Sequence, residues 1–303
     1  MKKILYTGIA ALFMLSASCT AIPTKKWVEN RINNSVIQYE QKDKQWSEKR
    51  FQVNINQKQL QEAFDSTYLI FNESFYKTET GQMFPLHGTG SAMLLNGKYL
   101  LSAKHVTDRG EIQHPYFGKM KCEKSTLYLL QDVRGPQAEK KYNLEQIISG
   151  SKQEMDYTLL KVKDDVDLPF YSNGLNLPDK EDKELLGMDS IVIGFPLGIG
   201  KNLRSGNISQ TKADYGEDYL GFKNNLYPSD SGGPIFVIEN GEVKYVAIST
   251  AIIQDPQTGS PLNLNYGLKV KKVIEDIELQ LKSGELDEKT AQEVSNFLNL
   301  NKR

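Results

Sequence analysis

The chain has 303 residues, of which 39% are hydrophobic and 25% are charged, and its formal net charge is −1. This length and composition are typical of a globular protein that can bury one large core or two smaller ones. A charge so close to zero gives no electrostatic reason to expect nucleic acid or an anionic membrane surface as a partner, so we expect no nucleic-acid binding.

Residues 1–19 have the layout of a secretory signal peptide. Two lysines precede an apolar run that is too short to span a membrane, and small residues then lead to Cys19. Cys19 resembles the lipid-attachment cysteine of bacterial lipoproteins, although Ser16 stands where that motif usually has leucine. We therefore expect an exported protein of the bacterial cell envelope, anchored in the membrane by a lipid on Cys19. Plain cleavage nearby, giving a periplasmic or secreted protein, is the alternative.

The region from 61 to 270 predicts an all-β fold. A polar tether or N-terminal extension over 20–60 precedes it, and from there short apolar runs recur between turn signals. A polar linker over 164–185 divides these runs into two sets of six, which predicts two six-stranded antiparallel barrels at about 65–163 and 186–270. The runs are 68–71, 91–95, 99–102, 127–130, 142–148 and 157–162 before the linker, and 191–195, 203–209, 219–222, 235–238, 243–253 and 264–270 after it.

The segment 271–303 is predicted to be a helical C-terminal extension. Apolar residues recur at helical spacing from Val270 to Leu281, Gly284 interrupts the pattern, and Asp287 is placed to open a second helix. We expect these helices to pack against the second barrel rather than to bind a partner.

The turn over 228–234 carries the strongest indication of chemistry. It reads Pro-Ser-Asp-Ser-Gly-Gly-Pro, with Ser231 at its centre, and leads into an apolar strand. The glycines permit backbone conformations closed to other residues, and the proline fixes φ where the strand begins. Such a turn can present one hydroxyl beside several backbone N–H groups, as an acyl-transfer enzyme requires. Taken alone, the same motif also fits an ordinary surface turn.

A serine hydroxyl needs a base beside it, and this chain has 3 histidines to supply one. His105 follows an apolar strand and small residues, a rigid place from which to project an imidazole. His87 opens a glycine turn and His114 lies beside a proline, so a surface role is expected for both. No His or Cys pair has the spacing of zinc ligands, so we expect neither a metal nor another cofactor.

The histidine in turn needs a carboxylate that holds its tautomer. Asp156 begins an apolar strand, where it can be partly desolvated and still hydrogen-bonded. It is therefore the favoured residue. Four alternatives lie in more polar surroundings: Asp108, Asp132, Asp164 and Asp165.

Three motifs follow one another in the order His, Asp, Ser: Leu-Ser-Ala-Lys-His at 101–105, Asp-Tyr-Thr-Leu-Leu at 156–160 and Asp-Ser-Gly-Gly-Pro at 230–234. Together with Gly-Thr-Gly-Ser at 88–91 and Ser-Gly-Asn-Ile-Ser at 205–209, they resemble the chymotrypsin-fold serine peptidases, most closely the bacterial trypsin-like Deg/HtrA branch. An α/β-hydrolase esterase would carry Gly-x-Ser-x-Gly with its Asp and His after the serine, and this chain has neither. Too few residues follow position 270 for the PDZ domains that Deg proteases normally carry, so we expect a stand-alone protease domain.

The resemblance implies a serine endopeptidase with a polypeptide substrate. Ser231 would be the nucleophile, His105 the general base, and Asp156 the residue that orients the histidine. The backbone N–H groups of Ser229 and Ser231 would form the oxyanion hole. The family usually has glycine at position 229, so the serine there must accept any positive φ that the hole demands.

The resemblance also implies a substrate-binding surface. Asn225, six positions before Ser231, would lie at the floor of the side-chain pocket, and because it is uncharged no strong preference for Lys or Arg follows. Ile248, Ser249 and Thr250 would pair with the substrate backbone as an added strand. A catalytically silent binding or adhesion protein of the cell envelope on the same fold is the alternative function.

Overall fold

The structure, a computed structural model, describes residues 55–108, 110–134, 137–212, 216–254 and 261–301. The signal peptide and Cys19 of the sequence analysis lie outside these residues. Within the described ranges, none of the helices has the length and apolar character needed to cross a membrane.

The described residues form mainly antiparallel strands, with helices at both ends of the fold. The strands are β1 Thr67–Thr78, β2 Met83–Leu95, β3 Tyr99–Ser102, β4 Glu111–His114, β5 Gly118–Arg134, β6 Gln137–Ser149, β7 Thr158–Val162, β8 Asp189–Gly194, β9 Asn202–Gln210, β10 Tyr219–Phe222, β11 Pro234–Glu239, β12 Glu242–Gln254 and β13 Pro261–Lys269. The α-helices are α1 Gln57–Asp65, α2 Lys104–Thr107, α3 Val270–Ser283 and α4 Glu288–Asn301.

Two closed antiparallel barrels make up the fold. In the first sheet the strands follow the order β1-β2-β3-β7-β6-β5-β4, and β1 also pairs with β5. That pairing closes six strands into a ring and leaves β4 attached to β5 outside it. The second barrel has the order β10-β13-β12-β11-β8-β9. The predicted fold is therefore confirmed, and each of the twelve apolar runs overlaps one of the strands other than β4.

Apolar side chains fill each barrel and also join the two. Ile70, Leu94 and Leu160 are among the buried residues inside the first barrel, and Val192 and Phe222 are among those inside the second. The outward faces of both barrels share a further core with α1, α3 and α4. Large aromatic side chains dominate that shared core: Tyr99, Tyr157, Tyr171, Phe236, Tyr245 and Phe297. The two barrels are therefore held together by densely packed side chains.

The helix α1 precedes the first barrel but bonds to the second. The backbone N–H of Asn56 donates to the carbonyl of Gly241 at 2.8 Å, and the Gln59 side chain accepts from the N–H of Val243 at 3.0 Å. Gly241 and Val243 lie at and after the turn between β11 and β12. The first helix of the described chain is thus fixed to the opposite barrel.

The helix α3 packs on β12 and β13 of the second barrel, as expected. It ends at Gly284, whose φ of 74° is the left-handed conformation that glycine adopts readily. The carboxylate of Asp287 then accepts from the backbone N–H of Thr290 at 3.0 Å, which caps α4. The predicted interruption and the second helix are both confirmed.

The helix α4 packs on the first barrel, so the expectation that both C-terminal helices lie on the second is wrong for α4. The Glu293 carboxylate accepts from the Tyr99 hydroxyl at 2.7 Å and from Lys161 Nζ at 2.6 Å. These partners lie on β3 and β7. The left-handed residue Gly284 ends α3 and allows the chain to turn, so that α4 reaches the first barrel. An apolar repeat alone does not specify this geometry.

Candidate active site

His105 lies on α2, a single helical turn that follows β3. Val106 and Thr107, on the same turn, are buried. The fully buried side chain of Asn72 donates to the carbonyls of both, at 3.2 and 3.0 Å. Because these carbonyls would otherwise lack partners at the helix end, Asn72 fixes the turn in place. The His105 side chain, 47% exposed, projects from this rigid turn towards solvent.

Asp156 lies just before β7 and bonds to His105 twice. Its Oδ2 is 2.7 Å from His105 Nδ1, and its Oδ1 accepts from the His105 backbone N–H at 3.0 Å. Burial acts to raise the pKa of Asp156, but the charge and hydrogen bonds of His105 outweigh it and leave this pKa below its ordinary value. An ionised carboxylate can only accept, so Nδ1 carries a proton in this contact, and in the neutral ring Nε2 is the nitrogen with the free lone pair.

The turn over 228–234, which we call the nucleophile turn after the role predicted for Ser231, lies between β10 and β11 and bonds to both barrels. Gly232 N–H donates to the carbonyl of Ser249 at 2.6 Å, and Ser249 N–H donates to the carbonyl of Gly233 at 2.9 Å, which fixes the turn on β12. The carbonyl of Ser231 accepts from the N–H of Ser91 on β2 at 2.7 Å. The turn therefore joins the two barrels at this point.

Two glycines allow this close approach. Gly232 has φ of +87°, and a Cβ there would lie 2.2 Å from the carbonyl oxygen of Ser91. A Cβ on Gly90 would lie 2.5 Å from a Val106 methyl group and 2.9 Å from the carbonyl oxygen of Ser231. The nucleophile turn and the helical turn of His105 thus pack against the same short stretch of β2.

The structure joins His105 to Asp156 directly and packs the turn of Ser231 on the same stretch of β2 as the helical turn of His105. Within the described contacts, no hydrogen bond links the Ser231 hydroxyl to the His105 ring. The role of Ser231 as the partner of His105 stays a prediction from the sequence.

Ser229 adopts the left-handed backbone conformation that glycine usually supplies, with φ of 76°. The carbonyl of Pro228 accepts from Leu197 N–H at 2.7 Å. No peptide bond of the described chain is cis, so the N–H of Ser229 points away from that carbonyl, on the opposite side of the peptide. The carbonyl of Ser229 accepts from Ser91 Oγ at 2.8 Å, and its hydroxyl shares a 2.6 Å hydrogen bond with Thr89.

These contacts fix the peptide planes on both sides of Ser229. Among the described residues, neither the N–H of Ser229 nor that of Ser231 donates to another protein group. Two backbone donors, separated by one residue, are therefore available to a ligand at the turn.

Asp230, between those two donors, forms a buried ion pair that the sequence analysis missed. Its Oδ2 accepts from Arg204 Nη1 at 2.6 Å and from Tyr227 N–H at 2.7 Å. The Asp230 side chain is fully buried and that of Arg204 is 13% exposed. Burial raises the pKa of Asp230 above its ordinary value, although Arg204 acts in the opposite direction. The guanidinium of Arg204, on β9, thus stabilises the turn that carries Ser231 through Asp230.

In the predicted substrate-binding strand, the backbone is available to a substrate only beyond Ser249. Ile248 pairs with Pro234 of β11 on one side and with Leu268 of β13 on the other. Both backbone groups of Ser249 bond to the nucleophile turn. Thr250 follows, at an irregularity in the register with β13. An added strand on this edge could therefore begin only at Thr250.

Asn225 lies in the loop between β10 and the nucleophile turn, and its side chain is exposed. Its neighbour Asn224 is fully buried and accepts from the Ser190 hydroxyl at 2.7 Å, so it is part of the second barrel's interior. The position of Asn225 at the floor of a side-chain pocket stays a prediction.

A sequence model of the Trypsin-like peptidase domain matches residues 88–248, more than half of this chain. That range includes His105, Asp156 and Ser231. The chain therefore belongs to the family of trypsin-like peptidase domains.

Solved structures of an HtrA-type protease are similar in fold. AlgW with a decapeptide has a TM-score of 0.50 and 18% sequence identity, covering 72% of this chain and 64% of that one. A serine-to-alanine variant of AlgW, also with a decapeptide, has a TM-score of 0.56 and 16% identity, covering 76% and 68%. This chain thus spans about two thirds of the length of those proteins, and identities this low establish likeness of fold alone. No curated protein sequence matches significantly.

Proposed function

We propose that this protein is a serine endopeptidase that cleaves polypeptides through a triad of Ser231, His105 and Asp156. The observation that carries the proposal is the double hydrogen bond between Asp156 and His105, which fixes both the ring and the backbone of the histidine. A surface histidine with no chemical role needs no such fixation. The nearness of the Ser231 turn, with two unpaired N–H groups, supports the same function.

In the proposed reaction, Ser231 Oγ attacks the carbonyl carbon of the scissile peptide while His105 Nε2 takes the hydroxyl proton. The carbonyl oxygen becomes negative and is stabilised by the N–H groups of Ser229 and Ser231. His105 then returns its proton to the leaving nitrogen as the C–N bond breaks, which leaves an ester on Ser231. Water repeats the two steps and releases the acid. One oxyanion donor typically contributes about 2.7–4 kcal/mol, so the backbone of Ser229 matters nearly as much as the triad.

The ionised Asp156 stabilises the imidazolium that forms in each step. Its low pKa keeps it ionised at neutral pH, so it accepts the Nδ1 proton without taking it.

The substrate is proposed to be an extended polypeptide that pairs with β12 from Thr250 onwards. Ile248 and Ser249 are already paired and would act by fixing the turn rather than by binding the peptide. Asn225 offers no charge, so side-chain selection for Lys or Arg would be weak. The AlgW structures of similar fold contain a decapeptide, which supports a polypeptide as the substrate class.

We also propose that the protein is an exported lipoprotein of the bacterial envelope, with the lipid on Cys19. The support is the signal-like sequence alone. Metabolic labelling with a radioactive fatty acid tests it: full-length protein should incorporate label and fractionate with membranes, and Cys19→Ala should lose both properties. Unlabelled, soluble wild-type protein would contradict the anchor without affecting the proposed chemistry.

A fluorophosphonate probe tests the catalytic proposal, because it reacts covalently with an activated serine. Wild-type protein should be labelled, and Ser231→Ala and His105→Ala should not. Cleavage of an unfolded protein substrate should follow the same pattern. If folded wild-type protein is neither labelled nor active, the catalytic proposal fails and a silent binding protein on this fold is favoured.

A further inference from the structure

The segment that carries Asp156, residues 150–156, is held by side chains from outside it; we call it the Asp156 loop. Lys104 Nζ donates to the carbonyl of Gly150 at 3.4 Å. The hydroxyl of Tyr219, on β10 of the second barrel, donates to the carbonyl of Glu154. The loop lies between the barrels, and its conformation decides where the Asp156 carboxylate points.

The strongest contacts of the Asp156 loop come from Asp276 on α3. Its carboxylate accepts from the backbone N–H of Ser151 at 3.1 Å and from the Ser151 hydroxyl. It also accepts from the Tyr157 hydroxyl at 2.7 Å and from Gln280 Nε2 at 3.0 Å. Burial opposes ionisation of Asp276, but these hydrogen bonds outweigh it and leave the pKa of Asp276 below its ordinary value. A carboxylate with four donors is a stable, ionised anchor.

Gln280, one helical turn further along α3, completes the anchor. Its Nε2 donates to the carbonyl of Ser149 at 3.0 Å and lies 3.0 Å from the Tyr157 hydroxyl. Ser149 directly precedes the Asp156 loop, Ser151 lies near its start, and Tyr157 directly follows Asp156. One face of α3 therefore fixes both ends of the segment that presents the carboxylate.

We propose that Asp276 is a positioning residue that acts through Asp156: α3 holds the Asp156 loop in the conformation that lets Asp156 orient His105. The inference rests on the proposed triad. Its physical reason is that reacting groups misplaced by about 1 Å can lose about 100-fold in rate. The C-terminal extension would thus be part of the catalytic apparatus without touching substrate.

The chain supplies a matched control in Glu293 on α4. Both carboxylates accept a 2.7 Å hydrogen bond from a tyrosine hydroxyl, Tyr157 for Asp276 and Tyr99 for Glu293. Both join a C-terminal helix to the first barrel. Asp276 alone of the two bonds to the Asp156 loop, since Glu293 contacts Tyr99 at the start of β3 and Lys161 near the end of β7.

The experiment compares Asp276→Asn with Glu293→Gln in the full chain. We expect Asp276→Asn to lower kcat by about tenfold or more with little change in KM, because the lost interaction acts on the reacting groups. Glu293→Gln should lose comparable thermal stability and keep its kcat. The low-field proton resonance of His105 Nδ1–H should shift or broaden in Asp276→Asn and stay unchanged in Glu293→Gln.

Equal losses of kcat in both variants, or a loss of stability alone in Asp276→Asn, would overturn the inference. If Asp276→Asn does not fold, Ser151→Ala removes one of the same hydrogen bonds and should reproduce the change in the resonance in smaller degree; an unchanged resonance there counts against the inference. Failure of the proposed function is separate, since it would appear as wild-type protein that the fluorophosphonate does not label.

Discussion

The ion pair of Arg204 and Asp230 offers a quantitative test of how the nucleophile turn is supported. The substitution Arg204→Met removes the guanidinium and keeps an unbranched side chain beside Tyr227, whose ring centroid is 5.7 Å from Arg204 Cζ. Asp230 is then left fully buried, with the N–H of Tyr227 as its remaining donor in the described structure. The substitution therefore removes the charge of Arg204 and keeps most of its packing.

The expected cost follows from burial. Breaking a buried ion pair by removing one partner typically costs about 3–5 kcal/mol, because the other charge remains uncompensated. Asp230 can reduce that cost by taking up a proton, and burial already raises its pKa. A raised pKa means that the folded state binds this proton more tightly than the unfolded chain, so the protonated form stabilises at low pH and the benefit is lost as pH rises through the folded pKa. The loss should thus be near its full size at about pH 8 and smaller at about pH 5.

The measurement is urea unfolding followed by circular dichroism at both pH values, with Asp230→Asn and the double variant in parallel. The double variant should recover much of the loss, because no unpaired charge remains. Fluorophosphonate labelling of Arg204→Met should slow as well, since Asp230 lies between the two proposed oxyanion donors. A loss in Arg204→Met below about 1 kcal/mol at about pH 8, or one that does not change with pH, would refute the reasoning.

Three further predictions concern the same site. Gly232→Ala should lower both the melting temperature and probe labelling, because its Cβ would lie 2.2 Å from the Ser91 carbonyl oxygen at φ of +87°; a wild-type melting temperature would contradict this geometry. In Ser229→Gly the left-handed conformation no longer costs about 1–2 kcal/mol, but the hydrogen bond to Thr89 is lost. In Ser229→Ala the hydrogen bond is lost and the backbone strain remains. The urea midpoint of the glycine variant should therefore exceed that of the alanine variant, and the reverse order would count against the strain. Asp156 has a folded pKa below its ordinary 3.8, so its stabilising effect is present above that value and lost as pH falls through the folded pKa. Asp156→Asn should flatten the acid side of the stability profile, and a slope equal to that of wild type would contradict the shift.

The barrels could be predicted from the sequence because their signals are local. Each apolar run is bounded by turn residues, and the chain order of the motifs at His105, Asp156 and Ser231 fixes which end of which strand carries each group. The positive φ of Ser229 could also be anticipated, since the need for it comes from the turn itself. Such features depend on neighbouring residues and little else.

Other features depend on which distant segments meet, and no local pattern encodes that. Arg204 of β9 pairs with Asp230 of the turn before β11. Asp276 meets Ser151 because α3, which packs on the second barrel, also reaches the Asp156 loop. The strand β4 has exposed and half-buried residues in alternation and no core face, so its sequence resembles a loop. The hydrogen bonds of the Ser249 backbone likewise depend on how the nucleophile turn folds onto β12.

The way in which the terminal helices α1 and α4 exchange barrels has a consequence for how the protein unfolds. The helix before the first barrel bonds to the second through Asn56 and Gln59, and the last helix bonds to the first through Glu293. Each terminal helix thus covers the barrel formed by the other half of the chain. Separating the two halves therefore exposes apolar surface on both at once. We expect one cooperative melting transition, and nicking in the interbarrel linker should not release a stable fragment. Detachment of α1 or α4 should therefore weaken the interface between the two barrels first.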